Sequence, residues 1–358
     1  MTELVAERAE CWDRNGLLPE ELLRKLSAGG VLCAEVDRMY GGLGLSGQYN
    51  GELTAHVGSV CSSVRSVMTS QGMAAWAVHR LGGGEQQARY LPRLAGGDLA
   101  AVAFSEPHAG SDLSAMSTQI WDEGDSIVID GQKVWVTGAY YADLIIVIGR
   151  HRDGAAAVIV PATTPGVTVE RIVDPVGCRA AGHADVHLDS VRLPADSVLG
   201  AAGQSLSLLV TSVLAYGRVS VAWGCVGILR ACLTAATRHA QAREQFGKPL
   251  IEHQLVSRHI AELFISEQVS TRVCEHASRC WDSATPEMVM AAVLAKHVCA
   301  GHAVRGAASA VQILASAGAY DGHVVARAYR DAKLMEIIEG SNELCQLMLA
   351  QHAVAVSP

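Results

Sequence analysis

The hydrophobic period of this sequence changes twice along the chain, which rules out a single repeated layer. From Pro19 to about Leu94 the apolar residues recur at helical spacing, as in Leu22, Leu23 and Leu26 or Ala75, Val78 and Leu81. Glycine clusters at Gly41-Gly42-Leu43-Gly44 and Gly82-Gly83-Gly84 punctuate these helices. From about Leu99 to Leu199 short β-prone runs replace them: Ala101–Phe104, Ser126–Ile129, Val134–Thr137, Leu144–Ile148, Ala157–Val160 and Val167–Val169. Asp130-Gly131, Asp153-Gly154 and Pro165-Gly166 are the predicted turns between them. After Gly203 the helical period returns, with Leu209, Val213, Tyr216, Ser220 and Trp223 on one face of a helix running to about Gln241. Further helices are predicted over 252–281, 287–317, 322–338 and 342–352. The order predicts a mainly α chain with a central β domain, divided as residues 1–98, 99–202 and 203–358. No internal repeat or low-complexity segment interrupts it.

Composition narrows the class. Half of the 358 residues are hydrophobic and 18% are charged, against about 25% charged in an ordinary domain. That deficit predicts surface hidden in a deep core or in subunit contacts. No uninterrupted apolar run reaches the ~18 residues of a spanning helix, so no membrane is expected. The net charge of −8 argues against a nucleic-acid partner, which calls for a basic stripe. Met1 to Arg8 lacks a basic segment followed by an apolar core, and the expected location is cytoplasmic. The ten cysteines form no C-x-x-C pair and are expected to be reduced thiols in the core. His276 and Cys280 share a helix face, but two donors do not make a metal site, and no metal is expected.

Gly42-Leu43-Gly44-Leu45-Ser46-Gly47 matches G-x-G-x-x-G in form. A helix precedes it rather than a strand, and no acid lies between His56 and Met73, so a loop is predicted instead of a dinucleotide site. Walker A, H-E-x-x-H and G-x-S-x-G are all missing. The run Ala103 to Asp112, Ala-Phe-Ser-Glu-Pro-His-Ala-Gly-Ser-Asp, takes a strand into a hydroxyl-rich loop. Such a loop either closes an ordinary β-turn or directs N–H groups and hydroxyls at a polar planar ligand. Trp135 and Thr137 stand in a second such cluster. Glu336, Glu339 and Glu343 follow the spacing of a solvated acidic face. Ile337 and Ile338 before Glu339, and Gly340 after it, describe instead a carboxylate at a helix C-terminus beside apolar residues. Dipole and desolvation would both raise its proton affinity, as a general base requires.

S-E-P-x-A-G-S-D followed by G-x-K-x-W-V-T resembles the signature of the acyl-CoA dehydrogenase flavoprotein family, whose usual form is T-E-P-x-A-G-S-D. Three further blocks are similar in the same order: Pro19 through the Tyr40–Gly44 loop with Glu85–Pro92, Arg243–Pro249 with Glu252-His253-Gln254, and Arg330–Lys333 with Ile338–Ser341. The resemblance implies an N-terminal helical domain, a β-barrel or sandwich, and a C-terminal four-helix bundle. It implies FAD, with Val102, Phe104, Ser105, Ser111, Trp135, Val136 and Thr137 around the isoalloxazine. Arg243 and Phe246, with His253, Gln254 and the stretch Gln312 to Ser316, would hold pyrophosphate and adenine across a dimer interface. Arginine suits that task because its planar fork matches phosphate. Ser341 and Glu343 would lie near the other end of FAD. Glu339 would be the catalytic base, with Ser111, Tyr216, Arg218 and Gly340 on the substrate side. In the family the base takes the α-proton of an acyl thioester while the β-hydrogen leaves as hydride to the flavin.

Three departures from the family pattern bear on the substrate. Ala315-Ser316 replaces a Gly-Gly pair, the segment Leu214–Arg218 lacks the Asp found near the pantetheine arm, and Ile338 replaces an aromatic residue. With its Ile-Ile-Glu-Gly-Ser block, the compact chain most resembles the acyl-carrier-protein dehydrogenases of polyketide extender-unit biosynthesis, which serve hydroxymalonyl or methoxymalonyl units. That resemblance implies a short oxygenated acyl group on an acyl carrier protein, oxidised at a hydroxyl or aldehyde carbon. It also implies a homodimer or homotetramer and an electron-accepting flavoprotein or oxygen. The alternatives are α,β-dehydrogenation of an acyl-CoA, a flavin oxidase or monooxygenase, and a flavin-containing binding protein of the same fold.

Overall fold

The computed structural model describes residues 2–357 apart from Asp153. Met1 and Asp153, in the amino-terminal stretch and one predicted turn, lie outside the described residues. Five helices come first: α1 (Thr2–Asn15), α2 (Glu20–Ala28), α3 (Gly47–Val60), α4 (Ser62–Leu81) and α5 (Gly84–Gly96). Helix α1 was not predicted, although Val5, Ala9 and Trp12 repeat at helical spacing and are buried. The glycine loop before α3 is no phosphate cradle. Ser46 caps α3, and Asp282 already sits on its N-terminus, accepting from Gly47 N at 2.6 Å.

Seven strands form one curled sheet: β1 (Ala100–Ala103), β2 (Gln119–Glu123), β3 (Ser126–Val136), β4 (Leu144–His151), β5 (Gly154–Pro161), β6 (Val167–Arg171) and β7 (Ala184–Pro194). The order is β1-β4-β2-β3-β7-β6, with β5 antiparallel to β4. Asp130-Gly131 is not a turn. The two runs predicted on either side of it are one strand, and the register shift between Ile129 and Gly131 is a bulge. Strand β7 escaped prediction because Ser190 adopts a positive φ, which breaks its alternation between buried Leu188 and buried Val191.

The carboxy-terminal part is helical, as the period predicts: α6 (Leu206–Ala242), α7 (Gln254–Asp282), α8 (Met288–Leu314), α9 (Val324–Ile337) and α10 (Asn342–Val356), with a small hairpin, β8 (Glu244–Gln245) and β9 (Lys248–Pro249), after α6. Helix α6, 37 residues and about 55 Å long, is the spine. It is long and apolar enough to cross a membrane, but 72% of its most apolar window is buried within the protein. Trp223 at its centre is fully buried and donates from Nε1 to Ser278 Oγ of α7 at 3.0 Å. Gly51 of α3 lies flat against that indole, where a Cβ would overlap the ring. This contact joins the amino-terminal helices to the bundle. Nine of the ten cysteines are buried and all ten are free.

The loop from β1 to β2 is fastened from inside. Glu106 accepts from Ser117 N (2.6 Å), Ser117 Oγ (2.7 Å), Thr118 N (3.0 Å) and Lys133 Nζ (2.7 Å). Lys133 on β3 is fully buried and also donates to the carbonyl of Phe104 at 3.1 Å. Burial acts to raise the Glu106 carboxyl, but these hydrogen bonds outweigh it and hold the group well below the usual range. Breaking a buried pair from one side strands the other charge. We therefore expect Lys133→Met to lose about 3–5 kcal/mol of stability in denaturant unfolding and to open the 105–117 loop to proteolysis. An unchanged midpoint would refute this role.

Candidate active site

Helix α9 ends at Ile337, earlier than the sequence suggests, and Glu339 itself takes a left-handed conformation (φ 56°) ahead of Gly340 (φ 91°). A non-glycine residue held there is strained. The turn separates the three acids: Glu336 pairs with Lys333 at 2.8 Å, Glu343 is exposed on α10, and Glu339 points inward. Two buried cations hold the turn without neutralising the carboxylate. Lys296 of α8 donates to the carbonyls of Glu336 (3.2 Å) and Gly340 (2.7 Å) and to Asn342 Oδ1 (3.2 Å), satisfying the end of α9. Arg218 of α6 donates from Nε to the Glu339 carbonyl at 3.0 Å. The carboxyl lies over Gly217 and beside Met73 Sδ, and a Cβ at 217 would overlap its Oε2. The residue as a whole is half-buried, yet Oε2 is sealed from solvent and has no hydrogen-bond partner. Burial pushes this carboxyl up to about 7, against the lowering pull of Arg218, Lys296 and Arg65.

A second group lines the sheet edge. Val102, Phe104 and Val136 are buried, Ser105 is half-buried and Ser111 is exposed. The Ser105 carbonyl accepts from Val134 N at 2.9 Å, so the loop and β3 form one wall. Trp135 has a positive φ (56°) and is 54% exposed, and its backbone N–H donates to Asp185 Oδ1 at 3.1 Å. The Thr137 hydroxyl is 3.2 Å from His183 Nδ1, and the Thr137 carbonyl accepts from Ser70 Oγ at 2.8 Å. His183 is buried and lowered to about 4 by burial and the nearby Arg65 charge, so its ring is neutral, and its Nε2 has no partner. An exposed aromatic face, a hydroxyl and an orphaned ring nitrogen together suit a planar heteroaromatic ligand such as a flavin.

A third group stands apart. Arg243 caps the end of α6, 26 residues beyond Gly217 and so nearly 40 Å along the axis. Phe246 and Gly247, both at positive φ, form the hairpin tip, and the Phe246 ring is 96% exposed. His253, bonded to the Gln245 carbonyl, faces that ring at 6.1 Å, and Gln254 opens α7. Gly306 of α8 packs on Leu229 of α6, so α8 follows α6 and brings exposed Gln312 and Ser316 toward the same end. Ala315, where the family pattern has glycine, keeps a positive φ of 52°. Within one chain these residues are not brought to Glu339.

Ser341 caps α10, accepting from Leu344 N, and borders with Glu343 a cleft of about 470 Å³ that also holds His302, Arg305 and Lys333. Tyr216, placed on the substrate side by resemblance, turns its hydroxyl the other way, accepting from Asn50 Nδ2 at 3.1 Å beside half-buried Glu35. At the α7–α8 turn, Glu287 joins His276 and Cys280, one donor atom from each lying within 4.8 Å of the others. Sequence reasoning missed Arg65, His183, Gly217 and Lys296. The available signal was a lone charge inside an apolar helical run, as in Ala295-Lys296-His297-Val298.

Fold and site together define a flavin-dependent dehydrogenase of acyl thioesters, and the chain belongs to the acyl-CoA dehydrogenase family. Its amino-terminal, middle and carboxy-terminal domain models match residues 1–98, 101–191 and 208–354. Among solved structures, FkbI, described as serving biosynthesis of the methoxymalonyl extender unit of the polyketide immunosuppressant Fk520, is 62% identical. Its TM-score is 0.96, over 99% of this chain and 98% of that one. Butyryl-CoA dehydrogenase from Megasphaera elsdenii is 28% identical, with a TM-score of 0.93 over 98% of this chain and 94% of that one. Cyclohex-1-ene-1-carbonyl-CoA dehydrogenase of Geobacter metallireducens is 31% identical over 97% of this chain and 93% of its own length. Members of the family are FAD flavoproteins, and FAD is the cofactor here.

Gly217 isolates the geometric requirement. Alanine there gains roughly 1 kcal/mol of helix propensity but occupies the space of the carboxyl. Gly217→Ala should keep its fold and melting temperature to within about 5 °C, while a crystal structure shows the Glu339 side chain displaced. A carboxyl left in place would contradict the packing described.

Proposed function

We propose that this protein is an FAD-dependent dehydrogenase of a short oxygenated acyl group carried on an acyl carrier protein, in the supply of polyketide extender units. The observation that carries the substrate class is the 62% identity to FkbI across 99% of the chain. Glu339 is the base. Its carboxyl is desolvated, has no hydrogen-bond partner on Oε2, and is held within a unit or so of neutrality, where proton abstraction is efficient. It takes the proton from the substrate hydroxyl as hydride leaves the same carbon, and the Glu339 N–H donates to the thioester carbonyl, which fixes the acyl group against the base. Bound FAD supplies the two-electron acceptor for the hydride. Arg218 and Lys296 keep the turn rigid, and Gly340 permits it. Trp135, Thr137, Val136, Ser105, Ser111, Val102 and Phe104 line the isoalloxazine.

The same reading requires a second subunit. Arg243, Phe246, His253, Gln254, Gln312 and Ser316 reach the FAD of a neighbouring chain, since nearly 40 Å of α6 separates Arg243 from the base in its own chain. Apolar side chains left exposed on α7, including Leu255, Ile265 and Val269, support a homodimer or homotetramer. So does a surface of 15515 Å², above the ~14,000 Å² usual for this mass. The division at 98/99 and 202/203, a cytoplasmic location, and oxygen or an electron-transferring flavoprotein as acceptor belong to the same proposal.

Carrier-protein and CoA thioesters of candidate acyl groups, mixed anaerobically with the holoenzyme, test it by flavin bleaching. Reduction by an oxygenated carrier-protein thioester is expected, and reduction by butyryl- or octanoyl-CoA alone would overturn the reading. Glu339→Gln should keep FAD and fold but lose bleaching. Because the base works ionised, kcat/KM should rise with pH through about 7. The stability effect runs the other way. A carboxyl raised by the fold favours its protonated form, so its contribution is present below about 4.5 and lost as pH rises through about 7. Glu339→Gln should therefore gain in melting temperature relative to the parent above pH 7, and a gain confined to acid pH would refute the burial of this charge.

A further inference from the structure

His276 and Cys280 lie one turn apart near the end of α7, so their side chains share a face. From the sequence only these two donors are visible there. The structure adds a third from across the turn, because Glu287, directly before α8, brings one donor atom of each residue within 4.8 Å of the others. The turn that carries Glu287 is fastened by its own backbone. Ala284 N donates to the Trp281 carbonyl (3.0 Å), Thr285 N to the Cys280 carbonyl (3.1 Å) and Met288 N to the Thr285 carbonyl (3.1 Å). The position of Glu287 relative to α7 is therefore set by the fold and not by chance contact of two mobile side chains.

The three donors have no other task in the chain. Among the described residues His276 meets only Cys280 Sγ, 3.8 Å from its Nε2, and the Glu287 carboxylate has neither an ion pair nor a hydrogen bond. Other acids of α7 are paired: Glu262 with Arg258, Glu267 with Arg230 and Glu275 with Arg272. Cys280 is 6% exposed, whereas His276 and Glu287 are exposed, so the sulfur lies beneath two donors that solvent reaches. Sulfur, imidazole nitrogen and carboxylate oxygen are the donors that zinc accepts in tetrahedral sites, while magnesium and calcium call for oxygen throughout. With Zn–N about 2.0–2.1 Å and Zn–S about 2.3 Å, the edge of such a tetrahedron between nitrogen and sulfur is about 3.6 Å. The 3.8 Å between His276 and Cys280 is already close to it.

We propose that His276 Nε2, Cys280 Sγ and a carboxylate oxygen of Glu287 form a zinc site, with water in the fourth position, that ties the end of α7 to the start of α8. Binding forms the Zn–S bond as the thiol proton passes to solvent, and nothing is oxidised or reduced. The residues that follow Cys280 give the site a structural task. Trp281 stacks on Trp76 (ring centroids 4.5 Å apart) and donates to Glu35 at 2.9 Å, and Asp282 holds the N-terminus of α3. A metal at this turn would stiffen the joint between the amino-terminal helices and the bundle.

The FAD-loaded protein, stripped with a chelator and dialysed, should take up one equivalent of Zn2+ in competition with a chromogenic chelator. Zn2+ at about a hundredfold excess over its dissociation constant should raise the melting temperature by about 3–4 °C. Co2+ in place of zinc should give a sulfur-to-cobalt charge-transfer band in the difference spectrum, and ligand-field bands to the red of the flavin. Cys280→Ser, close in shape, should lose the charge-transfer band and bind Zn2+ at least about tenfold more weakly, and His276→Ala and Glu287→Gln should each weaken binding by a similar factor. Cys11→Ser, which removes the exposed thiol, should keep both band and affinity. Failure to take up Zn2+, Co2+ binding without the charge-transfer band, or an affinity that survives Cys280→Ser would leave an adventitious ion only and overturn the assignment. None of these readouts uses flavin reduction, so the zinc site and the dehydrogenase reading stand or fall separately.

Discussion

The constraint on which the site depends is the close approach of other elements to α6, made possible by three of its glycines. At Gly227 the backbone of α3 comes so near that a Cβ would overlap the Ala55 carbonyl. At Gly224 the stem of Arg65 occupies the missing side chain's space, and at Gly217 the Glu339 carboxyl does. Each glycine weakens an isolated helix by roughly 1 kcal/mol. Burial of Trp223 and its neighbours compensates, and the same surface that docks the amino-terminal helices then admits a carboxylate and a guanidinium into the interior.

The scarcity of charge takes on a different meaning when its placement is followed. The few charges that enter the interior are assigned to turns and loops that the site uses. Lys133 fastens the loop carrying Ser105 and Ser111, Lys296 terminates α9, and Arg218 fixes the carbonyl of Glu339. None of these cations contacts the Glu339 carboxylate by a hydrogen bond, and that restraint lets burial raise its proton affinity. A direct ion pair would have lowered it and left an ionised structural acid, unlike the raised carboxyl that the proposed role as base needs.

Much of this architecture was legible in the chain itself. Helices α6 to α10 announce themselves because each runs long enough for its period to outweigh local exceptions, and the loop after β1 resembles a known signature. The failures have physical reasons. The bulge at Gly131 looks like a turn because the same residue type serves both, and β7 hides its alternation behind the phase slip at Ser190. The resemblance marked Glu339 as the candidate base, but its left-handed backbone was not legible, since its neighbours suggested that Gly340 alone would carry the turn. Arg65, His183 and Lys296 were invisible because what distinguishes them is a missing or distant partner. The carbonyl that Lys296 serves is 44 residues away, and Arg65 Nε has no hydrogen-bond partner among the described residues.

The hairpin tip has a consequence of another kind. A phenyl ring 96% exposed on a left-handed backbone is poorly placed in a lone chain, with neither burial nor conformational ease to justify it. On the proposed function it is an insertion that only a second copy can receive, beside a cofactor that the second copy holds. Folding, pairing and cofactor retention then become one linked equilibrium governed by mass action. Dilution, which touches no residue of the site, becomes a way of emptying it.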